Sequence, residues 1–274
     1  VELLGEGLFG KVHLVRHVPT GHAFALKELR KARLEASRQQ KNVINERRVL
    51  YAVRHPFVLR LYRTFRTDAK LFMLLELVQG GELFGVLARE GRLPVPWAQF
   101  YGSCVLSALD CLHGHGFVYR DLKPENVLID ADGYCKIVDF GFAKEVHSNR
   151  TFTVCGTPEY MAPEIVLGKG HNKGADFWAL GVLLFEMVTG RTPFANEGDD
   201  QLKICHNIVT GKLSFPSVVM GEDGMAVTRQ VVRALLNKSE VHRLGCGKRG
   251  AGEVKAHAFF DGIDWDVLID KQLE

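Results

Sequence analysis

The stretch GEGLFGKV, Gly5–Val12, decides the fold of the first third of this chain. Its glycines follow G-x-G-x-x-G-x-V, and glycine lets backbone N–H groups approach phosphate oxygens with no side chain between. Two architectures use such a turn. In a dinucleotide-binding βαβ unit, a helix follows the third glycine and receives the pyrophosphate at its N-terminus. Here Lys11-Val-His-Leu-Val15 continues in residues that favour a strand, so the expectation is a β-hairpin lid over phosphates. The Gly-Lys-Ser/Thr ending of a P-loop before a helix is absent as well.

Outward from this turn, strands are expected at 1–5, 11–18 and 22–29, punctuated by Gly5, Gly10 and Pro19-Thr-Gly21. A helix is expected over 36–54, with Val43, Val49, Leu50 and Val53 on one side. Strands at 57–66 and 70–77 follow, the second leading to Gly80-Gly81. Beyond that point the pattern is helical, at 97–116, 176–194, 199–210 and 227–237. The run at 176–194 is strongly apolar and reads as a buried helix. The division expected is a small β-rich lobe, 1–78, and a larger helical lobe, 79–274, with a ligand in the cleft between them.

The bulk numbers agree with a globular enzyme-sized chain of 274 residues, 46% hydrophobic and 24% charged. Net charge is a mild +3, and the basic residues between Arg47 and Arg66 alternate with apolar ones, as on a solvated face. A nucleic-acid partner is not expected. Six cysteines without a CxxC pair read as reduced residues of a cytoplasmic protein, not a disulfide framework or zinc site. His113 and His115 have no further metal ligand at useful spacing. No apolar run reaches the ~18 residues of a membrane span, and no signal peptide opens the chain. The opening residues already read as a strand, which suggests a domain cut from something longer.

Two features carry chemistry. Lys27 closes the apolar run Phe24-Ala-Leu-Lys27, and an ammonium turned inward needs anions. Glu46, within the helix expected at 36–54, is one candidate, and nucleotide phosphates are another. The second feature is YRDLKPEN, Tyr119–Asn126, which gathers basic residues, carboxylates and an amide around a proline. Such a mixture suits a solvated loop, or a site that holds a metal, a transferable anion and a hydroxyl proton together.

Taken in order, GEGLFGKV, Lys27, Glu46, YRDLKPEN, Asp139-Phe-Gly141 and Met161-Ala-Pro-Glu164 resemble the signature set of the protein kinases over essentially the whole chain. The resemblance implies a bilobal α+β fold, with a small antiparallel sheet lobe carrying one main helix and a larger, mainly helical lobe. It implies ATP and Mg²⁺. By resemblance, Asp121 accepts the proton of a substrate hydroxyl, Lys123 offsets charge on the transferred group, and Thr157 bonds both. Asn126 and Asp139 would hold metal. Gly5, Gly7 and Gly10 would cover the phosphates, and Lys27, steadied by Glu46, would bind them. Val12, Ala25, Leu75 and Leu128 would enclose adenine, with the backbone at Glu76 and Val78 reading its edge. Leu50, Leu61, Tyr119 and Phe140 would stack between the lobes, and Glu164 and Arg243 would form a buried ion pair. A catalytically dead scaffold is the contrasting reading, but Lys27, Asp121 and Asp139 are all retained. A kinase of small molecules is opposed by TPEYMAPE.

Within the protein kinases, Lys123 marks a Ser/Thr enzyme. TVCGTPEYMAPE, Thr153–Glu164, and DFGFAK, Asp139–Lys144, resemble the cyclic-nucleotide-regulated branch of the AGC kinases. ASRQQ (36–40), RLYRTF (60–65), GGELF (80–84) and FDGIDW (260–265) look closer to cGMP-dependent protein kinase than to the cAMP-dependent catalytic subunit. This resemblance implies a phosphosite at Thr153, paired with Arg120 and Lys144. Asn42 stands where close relatives have a histidine. Glu82, Glu125 and Glu186 would receive basic residues of a protein substrate, and Val154, Pro158 and Met161 would line an apolar pocket after the acceptor. Cyclic-nucleotide-binding regulatory domains would lie outside the chain.

Overall fold

A computed structural model describes residues 2–7, 10–146, 150–217, 221 and 223–273. Five strands form one antiparallel sheet in the order β1-β2-β3-β5-β4: β1 (Glu2–Gly7), β2 (Gly10–Arg16), β3 (Ala23–Arg30), β4 (Leu61–Arg66) and β5 (Lys70–Glu76). β1 and β2 close on each other at Gly7 and Gly10, so the chain continues from the third glycine as a strand and not as a helix. The tip residues Leu8 and Phe9 lie outside the described residues. β3 runs on to Arg30, which puts Lys27 within the strand and not at its end.

The helix expected over 36–54 is α2 (Gln40–Ala52), and a separate short helix that was not expected, α1 (Lys31–Ala36), precedes it. The break has a local cause. The Ser37 hydroxyl donates to the Arg33 carbonyl at 2.7 Å, and Arg38 takes a left-handed φ of 57°. Serine's short hydroxyl competes with the helix ladder, and the left-handed residue ends it. α2 then buries Glu46, Val49 and Leu50 against the sheet side of the lobe.

The connection from α2 to β4 is bonded to residues beyond the sheet lobe. Ile137 N donates to Phe57 O at 2.9 Å and Leu59 N to Ile137 O at 3.1 Å. His55 Nε2 bonds Ser107 Oγ at 3.2 Å, and Phe57 is fully buried.

The larger lobe contains α3 (Leu83–Glu90), α4 (Val95–Gly114), α5 (Pro163–Val166), α6 (Gly174–Thr189), α7 (Gln201–Thr210), α8 (Met225–Leu235), α9 (Ala251–Lys255) and α10 (Trp265–Ile269). α6 is buried almost all round, as its uninterrupted apolar run requires. Gly181 permits its close approach to α8: a Cβ there would lie 2.8 Å from Leu235 Cβ. Two short ladders face the small lobe, β6 (Phe117–Val118) with β9 (Lys144–Glu145) and β7 (Val127–Ile129) with β8 (Cys135–Ile137). Strands of two or three residues carry no periodicity, and the sequence gives no sign of them. Arg243 and Glu164 form the expected buried pair, bidentate at 2.6 and 2.8 Å. Arg243 also donates to Gly174 O and lies over the Trp178 ring.

Candidate active site

Side chains two apart on a strand share a face, and so do residues paired across a ladder. Ala25 and Lys27 therefore share a face of β3 with Val12, which pairs with Lys27, and with Leu75, which pairs with Ala25. Gly5 pairs with Val12 on the next strand. Lys27 Nζ reaches both oxygens of Glu46, at 2.8 and 2.9 Å. Burial alone would lower the lysine's pKa, but the Glu46 and Asp139 carboxylates outweigh it and raise the value.

Glu76 ends β5 and Val78 follows it, half-buried. The chain then crosses β7 at close range. Gly80 N donates to Ile129 O and Ile129 N to Gly81 O, each at 2.8 Å, and a Cβ on Gly80 would lie 2.6 Å from Ile129 O. Gly81 has φ 79°. The glycine pair is needed for this crossing, which sets Leu128 of β7 beside the link between the lobes.

The loop after β6 hangs on a carboxylate absent from the sequence expectations. Asp176, fully buried in the first turn of α6, accepts Tyr119 N at 2.9 Å and Arg120 N at 2.8 Å, and pairs with His113 Nε2 at 2.7 Å. Its one signal in the sequence is an acidic residue opening an apolar run. Arg120 and Asp139 both hold left-handed φ, 70° and 55°, strain of about 1–3 kcal/mol each that the surrounding bonds must hold. Arg120 Nε donates to Phe142 O at 2.8 Å. Tyr119 and Phe140 meet with ring centroids 5.4 Å apart, and Leu50 and Leu61 are buried as expected.

Within that loop, Asn126 Nδ2 donates to Asp121 Oδ2 and to Asp121 O, each at 2.8 Å. Lys123 Nζ stands 3.9 Å from Asp121 Oδ2 and donates to Thr157 Oγ1 at 3.1 Å. Asp121 is 6% exposed. Burial pushes its pKa up to about 6, against the pull of Lys123 and Asn126, and Asp139 adds to the rise. Asp121, Lys123, Asn126 and Thr157 thus form one bonded group, Lys27 and Glu46 a second, and Asp139 acts electrostatically on both.

The donor set suits a hard cation shared with phosphate. Asn126 commits its amide nitrogen to Asp121, which leaves its Oδ1 as a donor oxygen, and the Asp139 carboxylate is exposed. Among the described residues, no three His, Cys, Asp or Glu side chains gather to hold an ion by themselves. Two oxygens completed by phosphates and water fit Mg²⁺ better than a closed protein cage does.

Glu186 and Glu125 come together, with Glu159 as a third carboxylate that the sequence expectations missed. Burial, then Glu125 and Glu159, raises the Glu186 pKa to about 7. The Tyr160 hydroxyl donates to Glu186. Glu82 is exposed at the start of α3, where it bridges to Leu128. Thr153 is exposed, but Lys144 Nζ donates to Thr151 Oγ1 at 2.8 Å instead. Arg120 Nη1 is buried without a hydrogen-bond partner among the described residues. Val154 is exposed and Met161 half-buried. Asn42 bonds Gln39 and packs beside Gly141.

Residues 1–260 match the family of the protein kinase domain, and the chain belongs to that family. Its sheet lobe and helical lobe are the bilobal α+β kinase fold. The chain is similar to the cGMP-dependent protein kinase of Toxoplasma gondii, 45% identical over 273 residues that cover 100% of this chain and 27% of that protein. It is 44% identical to a cAMP-dependent protein kinase catalytic subunit of Arthrobotrys oligospora, over 99% of this chain and 51% of that one. With cGMP-dependent protein kinase 2 of Rattus norvegicus the identity is 42%, over 100% of this chain and 35% of the relative. The chain spans only a part of the length of each of these relatives. No helix among the described residues is long and apolar enough to cross a membrane.

Proposed function

We propose that this chain is the catalytic domain of a Ser/Thr protein kinase of the cGMP-dependent type, transferring the γ-phosphate of ATP to Ser or Thr in basic protein substrates. The observation that carries the reading is the bonded group of Asp121, Lys123, Asn126 and Thr157, with Asp139 acting on both this group and Lys27. A cAMP-dependent catalytic subunit is the second reading, favoured by the likeness to the Arthrobotrys protein.

Phosphoryl transfer asks for alignment and charge neutralisation more than covalent chemistry. Asp121, with a pKa of about 6, is ionised at neutral pH yet basic enough to take the proton of an acceptor hydroxyl. Lys123, oriented by Thr157, faces the charge that develops on the transferred group. Lys27 holds the nucleotide phosphates while Glu46 fixes its amine. Asn126 and Asp139 would hold Mg²⁺, which supplies charge neutralisation at the phosphates. Gly5, Gly7 and Gly10 bring backbone without side chains to the phosphates at those three positions. Val12, Ala25, Leu75 and Leu128 enclose adenine, and backbone at Glu76 and Val78 reads its edge.

Glu82, Glu125 and Glu186 receive basic residues before the acceptor. Val154, Pro158 and Met161 line the pocket after it. Phosphate on Thr153 would find the unpartnered Nη1 of Arg120. The functional division is 1–78 and 79–274, with cyclic-nucleotide-binding domains outside this stretch. A cytoplasmic setting suits six unbridged cysteines.

The test is phosphate incorporation from Mg·ATP into a peptide of the form Arg/Lys-Arg/Lys-x-Ser/Thr-apolar. Asp121→Ala is expected to abolish it while nucleotide still binds. Nucleotide binding without incorporation by the parent chain would favour the scaffold reading instead.

A further inference from the structure

Lys136 is a buried lysine with no part in the signature motifs or in the chemistry above. It sits at the centre of β8, paired across the ladder with Leu128, and its side chain is 6% exposed. Its ammonium donates to the Pro56 carbonyl and pairs with Glu76 Oε1 at 3.0 Å. The other carboxylate oxygen of Glu76 accepts Arg60 N at 3.2 Å, and Glu76 N donates to Arg60 O at 2.9 Å.

Three pieces of chain therefore converge on one ammonium. The first is β8 in the larger lobe, three residues before Asp139. The second is the connection ahead of β4, which is already bonded to β8 through Phe57, Leu59 and Ile137. The third is the end of β5, where the covalent link between the lobes begins. A buried ammonium stays charged only where acceptors surround it, and removing one partner of such a pair strands the other. The position of Glu76 relative to Leu128 is thus set by charge and not by apolar packing alone.

We propose that Lys136 is a positioning residue for adenine recognition: it pins Glu76 to β8 and so holds the hinge backbone at a fixed height over Leu128. The proposal rests on the reading of Glu76, Val78 and Leu128 as the adenine site. Lys27, Glu46 and the Asp121 group are held by separate bonds, so losing the Lys136 charge should affect the base of the nucleotide and spare the acceptor end.

The test uses the full chain with Lys136→Met, neutral and of similar length, and Lys136→Arg, which keeps the charge. Binding of a fluorescent adenine nucleotide, kcat, KM for ATP and for peptide, and the ATP/GTP preference are measured with Tm as a folding control. In Lys136→Met the nucleotide Kd and the KM for ATP are expected to rise about fivefold or more, with kcat and peptide KM within about twofold. The ATP/GTP preference falls, because a displaced hinge no longer discriminates the adenine edge, and Lys136→Arg restores it. Unchanged Kd and unchanged preference in a folded Lys136→Met overturn the proposal, as do equal losses in kcat and both KM values. Should Lys136→Met not fold, Lys136→Gln replaces it and the same preference decides. A parent chain that binds no adenine nucleotide overturns the reading of the site itself, whereas a parent that binds and a variant that binds equally well overturn only the role of Lys136.

Discussion

Arg48 on α2 forms an ion pair with Glu145 on β9, joining the helix that carries Glu46 to the strand that opens the segment carrying Thr153. At position 42, where close relatives have a histidine, asparagine donates to Gln39. The charged link from α2 thus runs through Arg48. Because Arg48 is largely exposed, the pair is worth no more than about 1 kcal/mol.

Arg48→Glu and Glu145→Arg are each expected to lower kcat by about two- to fivefold, with the loss shrinking at high salt. Combining them restores the pair with its signs exchanged and recovers most of the rate. A double variant as slow as the product of the two singles would show that the ion pair does not matter.

Asp121 should impose an acid limb on the reaction. Its raised pKa means that the fold favours the protonated acid, whereas transfer needs the carboxylate. kcat/KM is expected to climb as pH rises through about 6 and then level off. The stability linked to this group has the opposite sense: it is present below the ordinary carboxylate range and lost as pH rises through about 6. Asp121→Asn should therefore melt no lower than the parent at neutral pH while losing transfer. A pH profile flat between 5 and 8, each end about one unit or more from that value, would remove Asp121 as the base.

Glu186, raised to about 7, should make substrate choice pH-dependent. Its ionised form pairs with arginine, so KM for an arginine-rich peptide is expected to rise as pH falls through about 7, and KM for a neutral peptide to stay level. Glu186→Gln removes the difference between the two peptides. Glu125→Ala should also reduce the preference for basic over neutral peptides. An unaltered ratio there would detach the carboxylate pair from the substrate.

Arg243→Ala leaves Glu164 buried and unpaired and is expected to cost about 3–5 kcal/mol, read from denaturant unfolding. The double change of Arg243 and Glu164 to Met and Gln should cost less than the arginine truncation alone. If the truncation costs under about 1 kcal/mol, the pair is solvated in solution.

Much of this molecule is legible in order along the chain. The glycine turn followed by β-favouring residues identifies the hairpin, the unbroken apolar run identifies α6, and the resemblance of the motifs around Lys27, Asp121, Asn126 and Asp139 to the protein-kinase signature set points to the residues that the fold gathers. Much of what escapes depends on partners far away in sequence that no quoted motif pairs. Asp176 supports Tyr119 and Arg120 from across the lobe, Lys136 reaches Pro56 and Glu76, and Tyr160 bonds Glu186. None of these leaves a period or a motif. The break between α1 and α2 escapes for the opposite reason: it turns on a single serine hydroxyl and one left-handed arginine, too local for a window of apolar spacing to register.

The fastening of residues 55–59 to β8 makes α2 a lever with its fulcrum at the C-terminal end. Glu46 lies seven residues from Val53, about 10 Å along the axis, and Gln40 about 20 Å. A tilt of about 10° would carry Glu46 through about 2 Å, enough to part it from Lys27, while Gln40 swept roughly twice as far. Anything that grips the outer end of α2 thus works with a mechanical advantage near two over the salt bridge, and a light touch there is sufficient to make or break it.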